Sequence, residues 1–211
     1  MESGLVGPVP VVSQRTWPQF DLVVVAASSG GLEALLAIGS RLPAEFPIPI
    51  AVVLHRSPRA PDILTTLLGN HTPLRVKTAT PGETPRAATI YVAPPHRHLM
   101  LAQDRTFAFQ HVHFVHHMQS AADPLFLSAA SVFGDRVVAV VLSGGDVDGA
   151  AGASAIGVAG GVVLAQNQAT AKSFSMPAAT IATGHVDAVL PPGGIAAALI
   201  SLALSGGLTR R

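Results

Sequence analysis

Apolar, mostly β-branched runs recur along the chain, at 21–27 "DLVVVAA", 50–54 "IAVVL", 89–93 "TIYVA", 137–142 "VVAVVL", 161–165 "GVVLA" and 186–190 "VDAVL". Several lack the polar alternation of a strand with one wet face, so they predict strands buried on both faces of a parallel sheet. Between many of them the pattern turns helical, over 32–41, 61–69, 123–133, 149–158, 177–183 and 194–204. Proline or aspartate stands at or near several of these starts, as in "APDIL", "ADPLF" and "SMPAA", where proline's missing N–H removes no helical bond. Repeated strand, helix, strand units predict a doubly wound α/β fold, a mostly parallel sheet with helices on both faces. Residues 96–114, "HRHLMLAQDRTFAFQHVHF", depart from this rhythm. Two short extended runs around "AQDR" predict an antiparallel hairpin on an edge of the sheet.

The 211 residues are 49% hydrophobic and 12% charged, enough to bury a sizeable core in one domain. The division expected is an N-terminal arm over 1–20, one globular domain over 21–204 and a C-terminal tail over 205–211. Thirteen basic and twelve acidic residues leave a net charge of +1, which supplies no electrostatic footprint for nucleic acid or an anionic membrane. With no cysteine there is no disulfide, thiol nucleophile or thiolate metal site, and a reducing compartment, the cytoplasm, is the default expectation. Mean hydropathy is +0.46, yet no apolar run approaches the roughly 20 residues of a spanning helix. "IAAALISLALS" therefore reads as a core-packing helix, with no membrane insertion expected.

In open parallel sheets ligands bind beyond the carboxyl ends of the strands, so the residues immediately after each run are the informative ones. Ser28 and Ser29 follow the first run and open a helix with two glycines, His55 follows the second, and "SGGDVDGAAG", with Asp146 and Asp148, follows the fourth. Hydroxyl, imidazole and carboxylate thus fall on one edge of one sheet. Nucleophilic acyl transfer needs that set: a serine hydroxyl attacks only when a neutral imidazole takes its proton, and a carboxylate orients the imidazole, in the usual arrangement by accepting its Nδ1–H. Backbone N–H groups at the start of the helix after Ser28 offer donors for an oxyanion.

Each residue alone has a simpler structural reading. Ser28 and Ser29 suit a strand-to-helix turn, His55 a hydrogen-bonded strand end, and Asp146 and Asp148 a turn and a helix cap. Neither G-x-G-x-x-G nor G-x-x-x-x-G-K-[ST] is present, and A-A-S-S-G at 26–30 only half matches the G-x-S-x-G elbow. The coincidence of three residue types on one edge favours chemistry. His111 and His113 would share a strand face, but their segment holds no carboxylate, so no metal and no organic cofactor are expected.

These residues resemble the catalytic domain of the CheB chemotaxis methylesterase family over about residues 22–202. Its G-A-S-T-G-G turn is similar to "AASSGG" at 26–31, its "QHM"-like strand end to "LHR", and its "LTGMGNDGAAG"-like loop to "LSGGDVDGAAG". Further likenesses are "IYVAPPHRHL", "DPLFLSAA", "LAQNQATAKSFSMPAA" and "TGHVDAVLP". The resemblance implies Ser28 as nucleophile, His55 as base and Asp148 as orienting carboxylate, with Asp146 outside the triad and backbone near Ser29 and Gly145 holding the oxyanion. It implies hydrolysis of γ-glutamyl methyl esters on the cytoplasmic helices of methyl-accepting chemotaxis receptors, releasing methanol, with deamidation of receptor glutamines as a second activity. A monomer is expected.

Three departures accompany the likeness. About 20 residues precede the domain where the family usually has a receiver domain, so phosphorylation control is expected to be absent. Ala26 and Ser29 replace glycine and threonine in the turn, changes small enough to keep the site. "HMQSAAD" at 117–123 stands where an "RPS" element is usual, which bears on substrate recognition more than on catalysis. Two rival readings share these residues: a related esterase acting on another protein or a small ester, and a binding module without turnover.

Overall fold

The computed structural model describes residues 19–55, 63–95, 97–111 and 121–205. The arm over 1–20 (all but its last two residues), the tail beyond 205, His113 and most of the "HMQSAAD" stretch lie outside the described residues, as does the side chain of His111. Among the described residues, β1 (Leu22–Ala27), α1 (Gly31–Gly39), β2 (Ile50–Leu54), α2 (Leu64–Gly69), β3 (Arg75–Thr78) and β4 (Thr89–Val92) come first. After them follow β5 (Arg97–Leu101), β6 (Phe107–His111), α3 (Ala122–Phe133), β7 (Val137–Val141), α4 (Ala150–Val158), β8 (Val162–Gln166), α5 (Ser175–Ala182), β9 (Ala188–Leu190) and α6 (Pro192–Ser205). Seven strands form one sheet in the order β3-β4-β2-β1-β7-β8-β9, and every pairing in it is parallel.

The continuous apolar runs follow from burial on both faces. Along β1, Val23, Val25 and Ala27 enter one core with Leu35 and Ile38 of α1, Leu64 and Leu68 of α2 and Ile195 and Leu199 of α6. The alternate residues Leu22, Val24 and Ala26 enter a second core with Leu125, Phe126 and Ala129 of α3, Ile156 of α4 and Met176 of α5. Because successive side chains on a strand point to opposite faces, this two-sided burial requires apolar residues at both sets of positions. The predicted doubly wound fold is present.

Two features differ from the sequence pattern. The predicted antiparallel hairpin forms, with Leu99 opposite Phe109, but β5 and β6 make a separate two-stranded sheet and not an edge of the large one. Leu99, Leu101 and Phe107 are buried in the α3 core, and Ser128 of α3 accepts the Leu101 N–H at 3.0 Å. An apolar face beside a helix outcompetes lateral pairing. The edges of the large sheet are β3 and β9; β3, "RVKT", carries no apolar run because one of its sides meets solvent, and Lys77 pairs with Glu83 at 2.8 Å. Charged, short edge strands of this kind resist pairing with other chains.

Phe126 is fully buried, and the Cα of Gly152 on α4 comes so close that a Cβ there would overlap the Phe126 side chain. Phe126→Ala should therefore cost about 3–5 kcal/mol in urea unfolding. Leu127→Ala, next in sequence but 47% exposed, should stay within about 0.5 kcal/mol.

Candidate active site

The chain leaves β1 toward β2 on one side and later returns to β7 on the other, so β1 and β7 bound the crevice where doubly wound sheets bind ligands. Ser28 stands at its lip. The Ser28 N–H donates to Ser143 O at 2.9 Å, and Ser28 O accepts the Gly31 N–H at 2.9 Å, which closes a tight turn into α1. Gly30 caps that helix with φ 77°, and a Cβ there would collide with Lys172 and lie 2.8 Å from Ser143 Oγ. Left-handed backbone and close approach together require glycine at this position.

His55 begins the loop after β2, its N–H held by Ala27 O at 2.9 Å. Its Nε2 meets Asp148 Oδ2 at 2.7 Å, and its Nδ1 lies 3.4 Å from Asp146 Oδ2. Asp148, the carboxylate expected to orient the ring, therefore engages Nε2 and not the Nδ1 of the usual triad. β1 lies between β2 and β7, so the His55 and Asp148 side chains reach toward each other across the strand that carries Ser28 and meet through the ring nitrogen farther from the backbone. Asp148 is 5% exposed and Asp146 38%.

What fixes Asp148 is also unlike the sequence expectation. It does not bond to the first turn of α4, the helix it precedes. Its Oδ2 accepts the Ala122 N–H at 2.5 Å and its Oδ1 the Asp123 N–H at 3.1 Å, both from the first turn of α3. Asp123 Oδ1 in turn accepts the Gly152 N–H of α4 at 2.7 Å. Each carboxylate thus meets the N-terminal turn of the other's helix, where N–H groups lack helical partners and the dipole favours negative charge.

These contacts set the titration of the pair. For His55, burial of the ring lowers the pKa, but the hydrogen bond and charge of Asp148, followed by Asp146, outweigh it and the net shift is upward. For Asp148, burial raises the pKa, but the bonds from His55, Ala122 and Asp123 hold it below the ordinary carboxylate range. His98 on β5, whose Nδ1 accepts the Ala121 N–H at 2.9 Å, is pushed down by burial, with Asp148's charge partly opposing. Asp123 is pushed up, first by burial.

Ser143 is a residue that motif reasoning passed over. Wholly buried at the end of β7, its hydroxyl donates to Ser29 O at 2.6 Å and accepts the Ser173 N–H at 2.9 Å, while its own N–H goes to Gln166 Oε1 at 2.8 Å. It clasps the turn after β1, the loop after β7 and the loop after β8 together. Ser143 and Gln166 both occupy or follow a strand's carboxyl end, so the strand-end rule held a signal for them. Among the described residues, the N–H groups of Ser29 and Gly145 have no protein acceptor. Two donors are therefore available beside Ser28. No group of three or more His, Asp or Glu side chains among the described residues is arranged to hold a metal ion.

The family model described as CheB methylesterase matches residues 23–199. A protein from Leptospira interrogans named putative protein-glutamate methylesterase/protein-glutamine glutaminase is 33% identical over 183 residues, 87% of this chain and 95% of that protein. One of two similarly named relatives from Anaeromyxobacter dehalogenans is 39% identical over 182 residues, and there the match spans 53% of its length. The crystal structure of the Thermotoga maritima CheB methylesterase catalytic domain superposes with a TM-score of 0.82 at 34% identity, covering 87% of this chain and 99% of that one.

Gly144 is hemmed in at the heart of this arrangement: a Cβ there would overlap the Met176 thioether and stand 2.9 Å from Ser28 Cβ. Gly144→Ala should destabilise the protein by about 1–3 kcal/mol, the range for overpacking. Combining it with Met176→Ala should give less than the sum of the two losses in a double-mutant cycle of urea midpoints, because Met176 holds the space the new methyl needs.

Proposed function

The chain belongs to the CheB methylesterase family, and from that premise we propose that it hydrolyses γ-glutamyl methyl esters on the cytoplasmic helices of chemotaxis receptors through Ser28, His55 and Asp148. The observation that carries the reading is the 2.7 Å bond from His55 Nε2 to a buried, ionised Asp148, at the end of the strand beside Ser28. With Nε2–H committed to Asp148, Nδ1 is the ring nitrogen left to receive a proton.

The reaction then runs as acyl transfer. Ser28 Oγ attacks the ester carbonyl as its proton passes to His55 Nδ1, and the oxyanion accepts from the N–H groups of Ser29 and Gly145. Collapse of the tetrahedral species expels methoxide, which leaves as methanol with the proton from His55. Water, deprotonated by Nδ1, attacks the acyl-enzyme and frees the glutamate carboxylate and Ser28. Deamidation of glutamine follows the same path with ammonia as leaving group, matching the glutaminase in the relatives' names. No helix among the described residues is long and apolar enough to cross a membrane, so the receptor would be met from the aqueous side.

The deciding measurement is methanol release from methylated receptor, set beside release from a generic methyl ester. Ser28→Ala should abolish release and labelling by a serine-directed phosphonate, whereas Ser29→Ala, which keeps its backbone N–H, should retain much of the rate. Labelling at Ser29 would reject the assignment. Activity should rise with pH as His55 loses its second proton, and because that pKa is raised the limb should lie above the 6.5 of an ordinary histidine. A rate independent of pH from 5 to 8 would exclude His55 as base. Asn at the equivalent aspartate of a serine protease costs about 10⁴-fold, so Asp148→Asn should lower turnover by about two to four orders of magnitude and Asp146→Asn by less than about one. The reverse ranking would move the orienting role to Asp146.

A further inference from the structure

The mechanism above leaves one charged group at the imidazole unused. Asp146 Oδ2 stands 3.4 Å from His55 Nδ1, and its Oδ1 accepts the Asp148 N–H at 3.0 Å, so a backbone bond pins the carboxylate beside the ring. At 38% exposed it stays open to water, whereas the 5% exposed Asp148 has its lone pairs met by protein donors. While Nδ1 is unprotonated the ring carries no charge for the carboxylate to attract. Once Nδ1 holds a proton, the imidazolium stands within a few ångströms of an opposite charge, which favours the protonated form. Asp146 therefore discriminates between the two states of the base.

We propose that Asp146 is a positioning residue acting through His55: its charge stabilises the imidazolium, strengthening the base that takes the Ser28 proton and setting the pH at which the enzyme switches on. The inference rests on His55 being the proton shuttle. The "LTGMGNDGAAG"-like motif that 142–152 resembles has glycine at the position of Asp146.

The other titratable groups around the ring do not supply the effect. Asp148, from the same loop, is engaged at Nε2. From β5, His98 is held toward its neutral form by burial, with Asp148's charge acting against this, and its Nδ1 is occupied by the Ala121 N–H. From α3, Asp123 is turned to the Gly152 N–H. Among the described residues the charges that bear on His55 are the two aspartates, which together outweigh the downward pull of burial.

The test uses Asp146→Asn, whose side-chain oxygen can still accept the Asp148 N–H, so charge is removed without releasing the loop. Two readouts are taken, the pH–rate profile of methanol release and an NMR titration of the His55 ring nitrogens. Loss of the charge should move both to lower pH. Below the wild-type limb the variant should retain about 1.4- to fivefold more of its own plateau rate, the fold-change equivalent to an exposed ion pair of about 0.2–1 kcal/mol. Its plateau should fall, by less than about tenfold, because a weaker base takes the serine proton less readily. About 1 M salt should bring the wild-type limb toward that of the variant by screening the exposed charge. A uniform fall at every pH, with the His55 titration unmoved, would overturn the proposal and leave Asp146 as a loop-holding residue. Absence of Ser28-dependent release in the wild type would overturn the functional reading and this inference with it, whereas an active enzyme with an unmoved titration overturns this inference alone.

Discussion

A carboxylate as buried as Asp148 is tolerated only where its lone pairs are occupied, and three donors on two parts of the fold occupy them: His55 Nε2 after β2 and the Ala122 and Asp123 N–H groups opening α3. Most of the site's geometry depends on this cluster. The donors arrive from two elements and the carboxylate from a third, so it is satisfied only when β2, β7 and α3 have all taken their places. The α3 helix is in turn seated by Leu125, Phe126 and Ala129 against the apolar face of the sheet. Packing that looks remote from chemistry thereby sets the position of the one charge that orients the imidazole.

The exchange of carboxylates between α3 and α4 makes the arrangement mutual. Asp148 precedes α4 and satisfies α3; Asp123 opens α3 and satisfies α4. Moving either helix would strand a carboxylate and an N-terminal N–H at once, which is costlier than losing one cap because both groups are partly shielded from water. Ser143 performs a comparable service for backbone, tying three loops through a single hydroxyl and its own N–H. The turn at Ser28 is consequently held from both sides, while among the described residues the N–H groups of Ser29 and Gly145 have no acceptor. Rigidity is built around the donors that an oxyanion would use, an arrangement that avoids reorganisation during the reaction.

The strand order also distributes the chemistry. With β1 between β2 and β7, the imidazole must reach across the strand that carries the serine. The far nitrogen meets the Asp148 carboxylate, and the near one is left as the nitrogen that the proposed proton transfer would use. The same order also brings the near nitrogen under the field of a second, wetter carboxylate. Two aspartates two positions apart in sequence thus meet different nitrogens of one ring and differ in burial, Asp148 shielded and Asp146 open to water.

The strands, the helices and the meeting of serine, imidazole and carboxylate on one edge were legible in the chain, because two-faced burial imposes unbroken apolar runs and because whatever follows such a run stands at the sheet's carboxyl edge. The charged edge strand β3 was not legible, since a strand with a wet side needs no apolar run. Nor was the hairpin's position, because an apolar face such as that of Leu99 and Phe107 pairs as readily with a sheet edge as with a helix until α3 is in place. The difference between Asp146 and Asp148 could be drawn from resemblance but not from spacing, and the choice of Nε2 over Nδ1 and the donors that hold Asp148 came from the tertiary structure alone. Those facts depend on distances between residues some 25 to 93 positions apart. Local pattern records which faces are buried; only the packed strand order decides which atoms then meet.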